Sequence, residues 1–197
     1  MHNKDLIKKV IKNSVVLGNK ILSNKTLLDE VHNVSEEIIK AFKSGNKVLI
    51  CGNGGSASQA QHIAAEFSGK FYLDRDPLFA DALHGNTSFL TAVANDYSYD
   101  EVYSRAVKAM GRPGDVLIGL TTSGNSKNII KAIEKANSQG MITVGFTGQG
   151  GGKVKGLSKY LISIPSNDTP RVQEAHLVIG HTIAQIVEKE FFKKVKN

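Results

Sequence analysis

Apolar residues recur at intervals of three and four through the first part of the chain: Ile7, Val10 and Ile11, then Leu27, Leu28, Val31, Val34, Ile38 and Ile39. That period is helical, so helix is expected over residues 3–44, with Gly45 as the stop after a charged last turn. The pattern then changes. Lys47–Cys51 (KVLIC) is a short apolar run that ends abruptly in Gly52-Asn53-Gly54-Gly55-Ser56. A helical stretch follows from about Ser56 to Ser68, with Ala60, Ile63, Ala64 and Phe67 as its apolar face. The unit repeats in kind. Asp115–Leu120 (DVLIGL) runs into Thr121-Thr122-Ser123-Gly124-Asn125-Ser126, and a helix follows with Ile129, Ile130, Ile133 and Ala136 as its stripe and Gly140 as its stop.

Leu78–Leu83, Ile142–Thr147 and Tyr160–Ile164 are further strand candidates, and helices are expected over 86–94, 99–110 and 171–194. Continuous apolar strands alternating with helices predict an α/β fold: a doubly wound parallel sheet of about five strands, flanked by helices and preceded by an N-terminal helical arm. No linker or composition break divides the chain. One domain is therefore expected over 1–197, with 1–44 as the arm and 45–197 as the α/β core. Gly148–Gly152 (GQGGG) reads as a flexible strand-to-helix loop.

In such a sheet, ligands sit at the carboxyl ends of the strands, where both polar loops fall. Asn53-Gly54-Gly55-Ser56 allows close backbone approach, and the helix after it offers free N–H groups and the positive end of its dipole. The second loop offers four hydroxyls, Thr121, Thr122, Ser123 and Ser126, enough to encircle one phosphate. Ser and Thr also cap helices, but two such loops together favour an anion site. No G-x-x-x-x-G-K-[ST] is present, which excludes that class of nucleoside triphosphatase. Gly52-x-Gly54-x-x-Ala57 loosely satisfies a dinucleotide fingerprint, yet the acidic residues Asp74 and Asp76 precede the second strand instead of ending it. A phosphomonoester is the better match.

Side chains able to do chemistry lie close by in the chain. His62 and Glu66 are four residues apart on the first-loop helix, ~40° apart in rotation, so both can address one point. Such a pair can bind a metal or supply an acid and a base. Gln173 and His181 share the C-terminal helix, ~80° apart in rotation and ~12 Å along the axis. With zinc bonds of ~2 Å, their joint ligation requires both side chains to stretch, or else the contributing helices come from different subunits. His181 stands in an otherwise apolar stretch, where a satisfied core histidine is the plainer reading; Glu174 and His176 are read as structural. Asn95 and Asp96 suit a helix end and turn. Cys51, the single cysteine, reads as a small buried residue and not a nucleophile.

Composition narrows the classes. The apolar share is 41% and the charged share 22%, which excludes disordered and disulfide-stapled chains. The 25 Lys+Arg against 18 Asp+Glu give a net charge of +7, suited to anionic ligands without singling out nucleic acid. Much of the surplus lies in Lys4, Lys8, Lys9 and Lys12, and in Lys193, Lys194 and Lys196, read as solvated helix faces. A lone cysteine fits a reducing compartment, and no long apolar run is present, so a cytoplasmic protein without membrane association is expected.

Taken together, Cys51-Gly-Asn-Gly-Gly-Ser56, His62-Ile-Ala-Ala-Glu66, Ala94-Asn-Asp96, Thr122-Ser-Gly-Asn-Ser126 and Thr169-Pro-Arg-Val-Gln-Glu174 leading to His181 resemble the sugar isomerase (SIS) domain family, and within it the phosphoheptose isomerases. The resemblance implies conversion of sedoheptulose 7-phosphate to D-glycero-D-manno-heptose 7-phosphate, feeding activated heptose for lipopolysaccharide or capsule. It implies substrate contacts from Asn53, Gly54, Gly55, Ser56, Glu66, Asn95, Asp96 and Gln173, and phosphate contacts from Thr121, Thr122, Ser123 and Ser126. It implies one zinc per subunit on His62, Glu66, Gln173 and His181, with Glu66 as base and His181 as acid, and a homotetramer with sites between subunits. Two positions depart from the family pattern: Gln59 where an acidic residue is common, and Lys70 where an arginine commonly closes the first-loop helix. A rival reading within the family is a non-catalytic protein that binds a replication initiator, but that group lacks the counterparts of Glu66 and His181. A sugar-phosphate sensor is normally fused to a DNA-binding module, for which 197 residues leave no room.

Overall fold

The computed structural model describes residues 3–193. Lys194 and Lys196 lie outside the described residues, whereas Lys4, Lys8, Lys9 and Lys12 are exposed along the first helix. Five strands, β1 (Val48–Gly52), β2 (Ala80–Ala82), β3 (Val116–Thr121), β4 (Ile142–Thr147) and β5 (Tyr160–Ser163), form one sheet in the order β2-β1-β3-β4-β5. All four pairings are parallel. This is the doubly wound order in which the chain reverses direction between β1 and β3, opening a crevice at their carboxyl ends.

Strand alternation sends side chains to two core layers. Val48, Ile50, Val116, Ile118 and Leu120 face helices α2 (Lys25–Lys43), α3 (Gly55–Ser68) and α7 (Thr169–Phe191). Leu49, Cys51 and Leu117 face α5 (Val102–Met110) and α6 (Lys127–Ser138) on the opposite side. Both faces are covered, which is why the strands read as continuous apolar runs. At the sheet's amino edge, Asp115 accepts from the backbone N–H groups of Lys47 and Arg112 and pairs with the Lys47 ammonium. On the β5 edge, Glu30 of α2 accepts the Leu161 N–H at 2.9 Å, occupying a donor that would otherwise invite a further strand.

The helical span 3–44 is two helices, α1 (Asn3–Leu22) and α2, because Asn24 accepts the Leu27 N–H and starts a new helix. α2 buries Val34, Ile38, Ile39 and Phe42 in the core, while α1 lies outermost with Leu17 alone buried. Gly45 and Gly140 follow their helices with φ of 74° and 72°. β2 is shorter than the 78–83 run because Leu78, Phe79 and Leu83 fall outside the pairing, the edge having one neighbour only. The stretch 86–94 extends as α4 (Thr87–Asp96), and 99–110 opens with a 3-10 turn over Tyr99–Glu101 before α5. The Gly148–Gly152 loop is closely packed and leads through a 3-10 turn (Gly152–Gly156) into β5, not into a helix. Its Gly151 and Gly152 meet the backbone at Gly124: a Cβ on Gly124 or Gly152 would collide there, and one on Gly151 would collide with the Lys155 and Leu161 side chains.

Candidate active site

The loop after β1 and the loop after β3 meet at the switch point. Their side chains are tied by a reciprocal amide pair: Asn53 Nδ2 donates to Asn128 Oδ1, and Asn128 Nδ2 donates to Asn53 Oδ1, both at 2.9 Å. Asn128 Oδ1 also accepts the Ile129 N–H at 3.0 Å, one of the orphan donors of the α6 amino end. A backbone N–H only donates, so it fixes which side of the Asn128 amide faces Asn53. Tyr99 donates to Asn53 Oδ1 at 3.1 Å, and Tyr103 donates to the Gly52 carbonyl. The Asn53 oxygen is thereby filled, and one of its amide hydrogens remains for a ligand. The chemistry Asn53 offers at this edge is therefore that of a donor.

Across the second loop, Thr121 Oγ1 lies 3.0 Å from Ser126 Oγ and 3.4 Å from Ser123 Oγ. Three hydroxyls thus share one hydrogen-bonding patch at the amino end of α6, an arrangement chemically suited to an anion. Thr122 lies between them, its carbonyl accepting the Gly148 N–H. Gly124 makes the loop's turn with φ of 66°, and the Lys153 N–H donates to Asn125 Oδ1 at 3.1 Å, holding the loop from its far side.

α3 and α7 pack side by side because Gly180 lets Ile63 sit directly on the α7 backbone; a Cβ there would come within 2.6 Å of Ile63 Cδ1. That approach brings three donors together. His62 Nε2 and His181 Nε2 are 3.0 Å apart, and Glu66 Oε1 is 3.0 Å from the first and 3.7 Å from the second. Two imidazole nitrogens and one carboxylate oxygen converge from a single chain, so this trio needs no second subunit. Zinc bonds of ~2 Å in a tetrahedron set donors ~3.3 Å apart, so the donor types and spacings fit that ion. His181 is partly exposed and not the satisfied core histidine its apolar neighbours suggest.

Gln173 lies at the first loop, its amide against Gly55 and its Nε2 3.5 Å from Ser56 Oγ, while its own carbonyl accepts from buried Gln59. Asn95 and Asp96 are exposed at the end of α4, bonded to each other at 2.9 Å. Among the described residues no hydrogen bond links either side chain to the two loops; the segment's tie to the site is Tyr99. Cys51 is fully buried, and burial pushes its thiol far above the ordinary range, as expected of a core residue. His176 is fully buried with Nε2 3.2 Å from the Thr147 carbonyl, and burial lowers its pKa to about 4, keeping it neutral. Glu174 accepts from Ser14 of α1 and pairs with Arg171. Lys70 stands exposed past the end of α3; the cation that closes this helix is Arg75, through the Phe67 and Gly69 carbonyls.

Asn128 and Tyr99 were not legible as site residues. A buried amide in the first turn of a helix that opens on the ligand edge is the signal that could have found Asn128.

Residues 18–148 match the SIS domain family. A phosphoheptose isomerase of Clostridium acetobutylicum is 51% identical over 189 residues, covering 96% of each chain. One from Aneurinibacillus thermoaerophilus is 48% identical with the same coverage. Among solved structures, phosphoheptose isomerase GmhA from Neisseria gonorrhoeae matches with a TM-score of 0.90 at 35% identity, covering 95% of this chain and all of that one. A phosphoheptose isomerase from Francisella tularensis matches with 0.92 at 30% identity, over 96% of this chain. Likeness of this extent, in sequence and in fold, makes the chain a member of the SIS domain family and, within it, of the phosphoheptose isomerases.

Proposed function

We propose that the chain isomerises sedoheptulose 7-phosphate to D-glycero-D-manno-heptose 7-phosphate through an enediol(ate), with the chemistry at His62, Glu66 and His181. The observation that carries this reading is the convergence of those three side chains on helices adjoining two anion-suited loops. The phosphate is assigned to Thr121, Thr122, Ser123 and Ser126 and the free N–H groups of α6. The sugar chain is assigned to Asn53, Gly54, Gly55, Ser56, Asn95, Asp96 and Gln173, with Asn53 donating to a sugar oxygen.

Ketose and aldose differ by one proton on carbon and one on oxygen. Glu66 turns Oε1 to the two histidines, which leaves Oε2 to take the proton from C1 and return it to C2. His181 gives a proton to O2 as the C1–H bond breaks, and takes the proton from O1 as C2 is protonated. A zinc ion held by His62, Glu66, Gln173 and His181, one per subunit, would polarise the carbonyl and stabilise charge on its oxygen.

The same reading places the enzyme in the cytoplasm and in surface-polysaccharide synthesis, and makes it a homotetramer. Supporting assembly, α1 leaves Ile7, Val10, Ile11 and Val15 exposed beside an apolar groove lined by Leu17, Ile21, Leu28, Val31 and Val178. No described helix is long and apolar enough to cross a membrane. Glu66→Gln tests the assignment: substrate binding by calorimetry should persist while turnover is lost, and unchanged turnover would remove Glu66 as base.

A further inference from the structure

Beyond the site, α7 carries a buried carboxylate with no part in the chemistry above. Glu188, two turns past His181, is buried, with 3% of its surface exposed. It accepts three successive backbone N–H groups, from Phe71 at 3.3 Å, Tyr72 at 2.9 Å and Leu73 at 3.1 Å. Its Oε1 also pairs with Arg75 Nε at 3.0 Å, both side chains being 4% exposed. The rest of the Arg75 fork is spent on carbonyls: Nη1 on Phe67 at 2.7 Å, Gly69 at 2.9 Å and Asp76 at 3.1 Å, and Nη2 on Glu66 at 2.8 Å.

These bonds have a direction. One end of the ion pair grips α7, the helix of His181; the other grips the carboxyl end of α3, including the main chain of Glu66 itself. The segment held between them carries Phe71, whose ring lies 5.8 Å from the His181 ring at a 32° tilt. We infer that the Arg75–Glu188 pair is a positioning device for the His62–Glu66–His181 cluster: it sets the spacing of the two site helices and holds the Phe71 ring against His181. This rests on reading that cluster as the active site. Partners that orient ligating and catalytic side chains typically change metal affinity or activity 10–100-fold when removed. Only arginine can span these positions at once, because a lysine ammonium has no fork.

The test uses full-length Glu188→Gln, Arg75→Lys and Phe71→Leu, with exposed Lys189→Gln as control, each assayed well below its own melting temperature. Three quantities are read: zinc affinity by competition with a chromogenic chelator, kcat, and KM for sedoheptulose 7-phosphate. Positioning predicts that Glu188→Gln and Arg75→Lys weaken zinc binding ~10-fold or more and lower kcat by a similar factor, with KM within ~2-fold, because the phosphate loop lies on other elements. Phe71→Leu, which keeps the ion pair, should lower kcat by less, and Lys189→Gln should match wild type. If Glu188→Gln and Arg75→Lys lose melting temperature but keep wild-type zinc affinity and kcat, the pair is structural only and the inference is overturned. A wild type that neither turns over nor binds zinc would overturn the site reading itself, and is told apart by failing before any variant is compared.

Discussion

His62 and His181 present their Nε2 atoms to each other at 3.0 Å across two helices, although 119 residues separate them in the chain. Both side chains are well exposed, 48% and 38%, so neither is there to fill a core. Together with Glu66 they offer one shared coordination point. Zinc should therefore raise the melting temperature of the wild-type protein. His62→Ala should lower zinc affinity ~100-fold or more and abolish that rise. Calorimetric scans with and without zinc check both; an equal rise in the variant would place the metal elsewhere.

The proposed phosphate assignment gives Ser123 and Ser126 a role in binding and none in the proton transfers. A hydrogen bond to a charged group is worth roughly 1.5–3 kcal/mol. Ser126→Ala should thus raise KM about tenfold or more with kcat little changed, and weaken inhibition by inorganic phosphate in parallel. A fall in kcat at constant KM would contradict the phosphate assignment.

Asn128 works through Asn53. Removing its amide frees Asn53 to rotate and leaves the Ile129 N–H without its acceptor. Asn128→Ala should cost ~1–3 kcal/mol of stability and reduce kcat/KM for the sugar phosphate about tenfold, while inhibition by inorganic phosphate stays near wild type. Steady-state kinetics and urea denaturation separate the two effects.

Much of this was legible from pattern alone. The runs at 47–51, 115–120 and 142–147 announced buried parallel strands because both faces of the sheet are covered, and Gly45 and Gly140 marked their helix ends. The two loops stood out as small and hydroxyl-bearing residues contiguous in the chain, and they do lie after β1 and β3 at the carboxyl edge of the sheet. Contacts between distant segments were not written that way. Nothing local says that Gly180 admits Ile63, or that Asn128 reaches back to Asn53. The glycines of the 148–152 loop looked like slack, yet Gly151 and Gly152 are the surface against which Gly124 packs. Asn24 split one helical span into two because a cap outweighs an unbroken apolar period.

Acid sensitivity follows from two buried carboxylates. Burial alone would raise Glu188, but the N–H groups of Tyr72 and Leu73 and the Arg75 guanidinium outweigh it and hold it below the usual glutamate range. Burial likewise opposes ionisation of Asp115, and its bonds to Lys47, Arg112 and Asn46 outweigh it. Groups lowered on folding add stability above their unfolded values and lose it as pH falls through their folded values. The urea midpoint should hold near neutrality and fall below about pH 4. Asp115→Asn should start lower and show a shallower acid limb.

The central claim is that one chain brings an acid, a base and a sugar-phosphate cradle together to move a proton between adjacent carbons. The direct measurement is proton NMR of sedoheptulose 7-phosphate with purified, zinc-loaded protein in deuterated buffer. Aldose signals should appear, with deuterium entering the transferred position, and Glu66→Gln should show neither. Absence of aldose with the fully loaded wild-type protein, despite demonstrable binding of the substrate, would contradict the account.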